Sequence, residues 1–282
     1  MKHKKYIGFG ILILAVILLL WTLWGNTAPA LTAISAQSER LPQAFDGYRI
    51  AQISDLHNAE LGENNSRLIS LLKKANPDLI AVTGDIIDSS RTDLAVAVDF
   101  LRQAVEIAPC VAITGNHEAW VSEETYAELE AQMTALGIAI LHDEAMSLTC
   151  GGETLTLLGI DDPDYAQRHG GVGLSMSPDS LRALCPTEQY TVLLSHRPEF
   201  FEQYCRAEFD LVLSGHAHGG QFRLPLIGGL IAPDQGLFPK YDTGSFIDGN
   251  THMIVSRGIG NSIIPIRFNN RPEIVVVTLT CA

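Results

Sequence analysis

The hydrophobic and polar positions of this chain follow two rhythms. Short, largely apolar runs at 48–54, 79–83, 110–114, 190–194 and 209–213 read as buried strands. Between them lie stretches with apolar residues three and four apart. Residues 66–75 carry Leu68, Ile69, Leu71 and Leu72 at helical spacing and stop before Pro77. Residues 93–105 put alanine, valine and leucine on one face, and Ser122, with Thr125 and Glu128 in the first turns, opens a helix to about Leu136. A strand is expected at 137–141. The runs 147–150 and 155–158 flank Gly151-Gly152 as a hairpin. A loop at 161–164, a short helix at 180–184, an irregular stretch rich in glycine and proline at 222–246, and closing strands at 253–256 and 274–279 complete the pattern. Helices and strands alternate first and strands follow in succession later, which predicts an α/β layered domain with mixed sheets.

The first residues break that rhythm. Lys2, Lys4 and Lys5 precede an unbroken apolar stretch from 7 to 24, with Tyr6 at one end and Trp21 and Trp24 at the other. At about 1.5 Å per residue this stretch matches the hydrocarbon thickness of a bilayer. The lysines belong in the cytoplasm, so the expectation is a single-pass anchor with the rest of the chain outside. The alternative is a cleaved signal and a secreted domain, although the apolar stretch is longer than the usual signal core. Residues 1–25 are thus expected as basic tip and anchor, 26–45 as a linker or an edge strand, and 46–282 as the catalytic domain.

Composition narrows the classes. The chain has 282 residues and a formal net charge of −13. Such a surface repels a nucleic-acid backbone, so bulk nucleic-acid binding is not expected. The five cysteines, Cys110, Cys150, Cys185, Cys205 and Cys281, form no CxxC pair and fit no zinc module. One disulfide, for example Cys185 with Cys205, is open on an oxidising side.

The chemistry sits where strands stop. Five strand ends carry Asp55/His57, Asp85, Asn116/His117, His196 and His216/His218. Open α/β sheets bind ligands in the crevice beyond the strand carboxyl ends, so these five loops can converge. Each motif alone is an ordinary polar turn, but residue type, order and strand context agree at all five.

Asp55-X-His57, Gly84-Asp85, Gly115-Asn116-His117-Glu118, Ser195-His196 and Gly215-His216-Ala217-His218 together resemble the motif series of calcineurin-like metallophosphoesterases. The sequence Gly-His-X-His-Gly-Gly-Gln and the tail Ser256-Arg257-Gly258-Ile259-Gly260 resemble its membrane-anchored phosphodiesterase branch. The resemblance implies a four-layer α-β-β-α sandwich of two mixed sheets behind the N-terminal transmembrane helix, with a dinuclear metal centre at the strand ends. It assigns one metal to Asp55, His57, Asp85 and His218, and the other to Asp85, Asn116, His196 and His216, with Asp85 bridging. The nitrogen and oxygen donors suit manganese, iron, zinc or nickel. The implied reaction is hydrolysis of a phosphate monoester or diester by a hydroxide bridging the metals, and His117, left without a metal, is the expected acid for the leaving alkoxide.

Other residues have two readings. Asp88 and Glu118 orient ligands or are plain loop carboxylates. Arg197 and Arg257 touch phosphate or make surface pairs. His3, His142, His169 and His252 match no motif. The apolar positions of 222–238 (Leu224, Leu226, Ile227, Leu230, Ile231, Leu237) line the cleft or meet lipid, which would suit a lipid-linked or cell-envelope ester, or they form a buried loop. Two other functions stand beside the leading one: a nuclease of the same superfamily, and a non-catalytic membrane scaffold stabilised by metal.

Overall fold

The period-two alternation within each strand divides its side chains between two cores, and that division builds the layers. The computed structural model describes residues 2–185, 188–261 and 263–282, with side chains from Tyr6 onward. The strands are β1 (Ala30–Ser38), β2 (Arg49–Ile53), β3 (Leu79–Thr83), β4 (Cys110–Ile113), β5 (Ala139–Ile140), β6 (Glu144–Cys150), β7 (Glu153–Gly159), β8 (Thr191–Leu194), β9 (Leu211–Ser214), the two-residue strands β10 (Arg223–Leu224), β11 (Gly228–Gly229), β12 (Ile231–Ala232) and β13 (Gly236–Leu237), then β14 (Gly244–Asp248), β15 (Thr251–Val255) and β16 (Glu273–Cys281). The helices are α1 (Lys2–Thr27), α2 (Ser66–Ala75), α3 (Leu94–Val105), α4 (Asn116–Trp120), α5 (Glu123–Ala135), α6 (Pro163–His169), α7 (Pro178–Leu184) and α8 (Phe201–Arg206).

Two six-stranded sheets result, in the orders β1-β16-β2-β3-β4-β5 and β14-β15-β9-β8-β7-β6. On β3, Leu79 and Ala81 face the space between the sheets, where they join Leu157, Leu194, Leu213 and Val277. Ile80 and Val82 face the other way, toward Leu68, Leu72, Leu101 and Leu129 of α2, α3 and α5. The second sheet divides likewise: Leu193, Val212 and Met253 pack on Leu181 of α7 and on Phe201 and Tyr204 of α8. The outcome is the expected α-β-β-α sandwich, and the uniformly apolar strands are those covered on both faces.

Both sheets are mixed. Strands β2 to β5 run parallel, and so do β7, β8, β9 and β15, whereas β16 is antiparallel to β2 and both β6 and β14 are antiparallel to their neighbours. The carboxyl ends of β2, β3, β4, β8 and β9 therefore open on one edge of the sandwich.

Several local expectations change. Between 26 and 45 the edge-strand reading is the one realised for Ala30–Ser38, which pairs in parallel with Glu273–Cys281 over its whole length. Its small residues fit an edge whose inner positions, such as Ala36, are buried. The loop at 161–164 ends as a helix, because the Asp162 carboxylate accepts the Asp164 amide as an N-cap and Pro163 suits the first turn. The irregular stretch holds two tiny hairpins, β10/β11 and β12/β13, and β14. All five cysteines are free, Cys185 and Cys205 included.

Helix α1 is long and apolar enough over Tyr6–Thr27 to cross a membrane, with a mean hydropathy of 2.6. Its side chains are exposed along most of its length. Its last turn is hydrogen-bonded to the domain: Asn26 Nδ2 donates to the Arg267 carbonyl at 2.7 Å, and Asn26 Oδ1 accepts the Arg267 amide at 2.8 Å.

Candidate metal centre

The ends of the two sheets are laced together before any ligand is considered. Gln52 on β2 donates to the Ser214 carbonyl at the end of β9 at 2.8 Å. The Gly215 amide donates to the His196 carbonyl at 3.0 Å, joining the loops after β8 and β9. The His216 amide then donates to Asp55 Oδ1 at 3.0 Å, so the loop carrying His216 and His218 folds over the end of β2. The result buries all eight expected side chains, from Asp55 (0% exposed) to His117 (5%).

The backbone is bent to do this. Asp55 (φ 52°), His57 (φ 47°), Asp85 (φ 54°), His216 (φ 64°) and His218 (φ 47°) all lie in the left-handed region. Each costs on the order of 1 kcal/mol, and such strain concentrates where function fixes side-chain direction. The loops are held by main-chain bonds from the Asp55 amide to Gly84 O and from the His57 amide to Asp85 O, both 3.1 Å.

Among the described residues the donors fall into overlapping groups: two hold only expected ligands, a third sets His117 with His57 and Asp85, and a fourth sets His216 with Glu199 and Asp234. Asp55, His57 and His218 form one of the first two: His57 Nε2 is 3.2 Å from His218 Nε2, and His218 Nε2 is 3.6 Å from Asp55 Oδ1. Asp85, His196 and His216 form the other: His196 Nε2 is 3.3 Å from Asp85 Oδ2 and 3.2 Å from His216 Nδ1. Asp85 Oδ2 belongs to both, since it also lies 3.5 Å from His57 Nε2. Ligands at about 2.1 Å around a tetrahedral or octahedral ion stand about 3.0–3.4 Å apart, so most of these spacings suit donors sharing an ion.

A metal fits these residues on two further grounds. Asn116 Oδ1 is buried with no hydrogen-bond donor, and a carbonyl oxygen in that state calls for a cation. The charges also ask for one. Burial works to raise Asp85, but His196 and His57 beside it hold it well below the usual carboxylate range. Burial would lower His196 in turn, yet Asp85 pushes it up to about 10. The carboxylates thus recruit an imidazolium as their counter-charge, a place that a metal ion would take. Burial brings His57 down to about 3 and His216 to about 4, which keeps both rings neutral and able to ligate.

Surrounding groups fix the ligands. His196 Nδ1 lies 2.7 Å from Thr83 O and donates to it, which leaves Nε2 for the site. His216 Nε2 lies 2.9 Å from an Asp234 carboxylate oxygen, which leaves Nδ1 for the site. A ligating imidazole that hands its other N–H to a carboxylate or carbonyl is fixed in tautomer and direction. Glu118 accepts the amides of Asp85 (2.8 Å), Ile86 (2.9 Å) and Gly115 (2.7 Å), tying the loops after β3 and β4 together. Asp88 serves its own loop, through Ser90 and Arg91. Glu118 therefore orients the loops that carry Asp85 and Asn116, whereas Asp88 is a carboxylate of its own loop.

Arg197 pairs mainly beneath the surface, Asp234 being the one more-than-half-exposed carboxylate among its described partners. The arginine is buried, chelated by Asp162 at 2.6 and 3.0 Å, and bonded to Asp234. Arg257 pairs with Glu273 at 2.5 Å, at the join of β1 and β16. His117 Nδ1 accepts the Ser89 amide at 2.9 Å, so the proton of a neutral ring sits on Nε2, and the ring stands 4.4 Å from His57, centroid to centroid. Among the unmatched histidines, His142 pairs with Asp161 at 2.9 Å, away from the donors.

Sequence reading overlooked Asp234 and Arg267. Asp234 sits in a stretch with no periodicity to mark it. Arg267 is an arginine only 1% exposed, with Nη2 3.2 Å from His218 Nδ1 and Nη1 on the Arg257 carbonyl at 2.6 Å. Neither belongs to a motif, and only the fold brings them to the histidines. A cavity of about 350 Å³ opens beside His57, bordered by Asn58, Arg91, Asn261 and Pro265. The larger depression of about 990 Å³, around α8 and β14–β15, contains none of these ligands.

Comparison with known proteins bears on the same residues. Residues 48–220 match the model of the calcineurin-like phosphoesterase family, a span that includes every expected ligand. The chain is 32% identical over 259 residues to the uncharacterized metallophosphoesterase YkuE of Bacillus subtilis, covering 88% of this chain and 84% of that protein. It is 29% identical over 235 residues to the phosphodiesterase YaeI of Escherichia coli, covering 82% of each. It is 30% identical over 264 residues to a transmembrane protein with metallophosphoesterase domain from Danio rerio, covering 89% of this chain and 57% of the longer relative. With its motif series, its sandwich and its gathered donors, the chain belongs to the calcineurin-like phosphoesterase family, whose chemistry is metal-dependent hydrolysis of phosphate esters.

Proposed function

We infer that this protein is a membrane-anchored phosphodiesterase that works with two metal ions on the outer side of the membrane, on a lipid-linked or cell-envelope phosphate ester. The observation that carries the two-metal reading is the single Asp85 oxygen facing both donor groups. Two cations so close repel each other, and a shared carboxylate offsets that repulsion. Asp55, His57, Asp85 and His218 would hold one ion, and Asp85, Asn116, His196 and His216 the other. Bound metal supplies Lewis acidity and a nucleophile usable at neutral pH. The protein's share is positioning and proton transfer. Asp234 and Thr83 hold His216 and His196 in their ligating tautomers. His117, as the imidazolium with Nδ1 donating to Ser89 Oγ, would protonate the leaving alkoxide from Nε2, a role worth about 10²–10⁴ in rate. A relative named a phosphodiesterase supports the diester, and the lysines before α1 support an outward-facing domain.

The purified full chain in detergent should hydrolyse bis(p-nitrophenyl) phosphate with added manganese and stop on chelation. His117→Ala should lose more rate on esters with poor leaving groups than on the nitrophenyl ester. Folded protein inactive with manganese, iron, zinc and nickel alike would leave a metal-stabilised scaffold; equal losses on both esters would end the acid role of His117.

A further inference from the structure

The register of the first sheet places the junction with α1 at the same end as the metal ligands. Strand β16 runs antiparallel to β2, with Val275 opposite Gln52, so Glu273 lies beyond the carboxyl end of β2. Strand β1 runs parallel to β16 and begins with Ala30 opposite Glu273. The helix therefore enters the sandwich on the edge where Asp55 and His57 sit.

The junction is held rather than slack. Asn26 clasps the Arg267 backbone from both sides. Arg271 lies over the Trp24 ring at 4.7 Å and donates to the carbonyls of Ala28 (2.7 Å) and Pro29 (2.9 Å). Arg67 donates to the Thr27 carbonyl. Two segments flank this clasp. One carries Ile263 and Ile266, a few residues before Arg267. The other carries Leu226, Ile227, Leu237 and Phe238, between His218 and β14. Gln221 joins them through the carbonyls of Ile264 and Ile266, at 2.8 and 2.7 Å. All six apolar side chains are exposed: Ile263 is 89% accessible, Leu237 71% and Phe238 65%. An exposed apolar group of this extent on one edge marks a contact surface.

We propose that this rim is seated in the headgroup layer of the leaflet that α1 enters, so that the metal cleft opens onto the membrane surface. The inference rests on reading α1 as an anchor and deepens the lipid-linked reading of the substrate. The occupant is a bilayer because the rim continues from the end of an apolar helix whose terminal tryptophan marks the interface. Arg67 and Arg271 lie at the same level, bonded to the carbonyls of residues 27–29 just past that tryptophan. The cavity beside His57 is bordered by Asn261 and Pro265 of the clasped segment, which gives a phosphoester at headgroup depth a short path to the ligands.

The test uses the full chain in nanodiscs of phosphatidylethanolamine and phosphatidylglycerol. A benzoylphenylalanine replaces Phe238 or, in a second protein, Ile263; a third carries it at Glu153, an exposed residue at the opposite end of the sandwich. Both rim positions should give lipid adducts on illumination, at least tenfold above Glu153. Asn26→Ala should lower the yield at 263 several-fold while α1 resists carbonate extraction. No adduct at either rim position in carbonate-resistant protein overturns the seating and leaves the anchor standing. Carbonate-extractable protein overturns both. Equal adducts at Glu153, or an unchanged yield in Asn26→Ala, overturns the clasp as the cause.

Discussion

At the scale of single residues, two imidazoles of the centre, His196 and His216, each have one outward acceptor and one inward lone pair. His196 has Thr83, and His216 has Asp234, a residue more than half exposed and far from any motif. Asp234→Ala should weaken binding of the ion held with His196 by about 10–100-fold, read by metal titration, with the other ion unmoved. The two histidines of Gly215-His216-Ala217-His218 point to different donor groups although one residue separates them. Metal counting should therefore show one ion lost in each of His216→Ala and His218→Ala, with the ion beside Asp55 and His57 gone only from the second. Loss of the same ion in both would undo the assignment. The expected ligands stood out in the sequence because residue type and strand-end position coincide at all of them, and the fold gathers them at one edge. Asp234 and Arg267 were not, because what gives them meaning is an arrangement of loops with no pattern along the chain.

At the scale of elements, the carboxyl ends of the strands set the site, and the loops between strand and ligand have almost no slack. Gly84, at φ 88°, shows how little: a Cβ there would stand 2.7 Å from Gly115 Cα and 2.7 Å from His196 Nδ1. Gly84→Ala combines a left-handed backbone with overpacking and should cost about 2–4 kcal/mol. Urea unfolding should show that loss, and the metal content of the folded fraction should fall with it. The strands were legible as apolar runs, since both faces are covered. The short helices α4, α6 and α8 were not, because one or two turns are too few for a period to register. β1 stayed ambiguous for a different reason: its small residues read as linker until a partner more than two hundred residues away makes it a strand.

At the scale of the whole molecule, the first and last strands close the first sheet together, and Glu273 is the fastening. It is 2% exposed, accepts from Thr32 at 2.6 Å and from the Arg257 amide at 2.8 Å, and pairs with the Arg257 guanidinium. Burial would raise its pKa, but Arg257 and Thr32 hold it below the usual range. A lowered carboxylate stabilises the fold above its unfolded pKa of about 4.3 and loses that contribution as pH falls below it. Glu273→Gln should cost about 1.5–3 kcal/mol at pH 7, and the difference from the parent should shrink as pH falls below about 4, measured by urea unfolding at each pH. The same fastening bears on how the protein is made. Thr32 and Glu273 are 241 positions apart, and closing a loop of that length costs roughly 5 kcal/mol of chain entropy before any contact offsets it. The first sheet can therefore be completed only after nearly the whole chain has emerged. Gly258, whose amide bonds Ser256 and whose carbonyl receives the Glu273 amide, packs against Asp55 only once that last strand is home. Closure of the loop around Asp55 is therefore a late event of folding, waiting on the last strand of the chain.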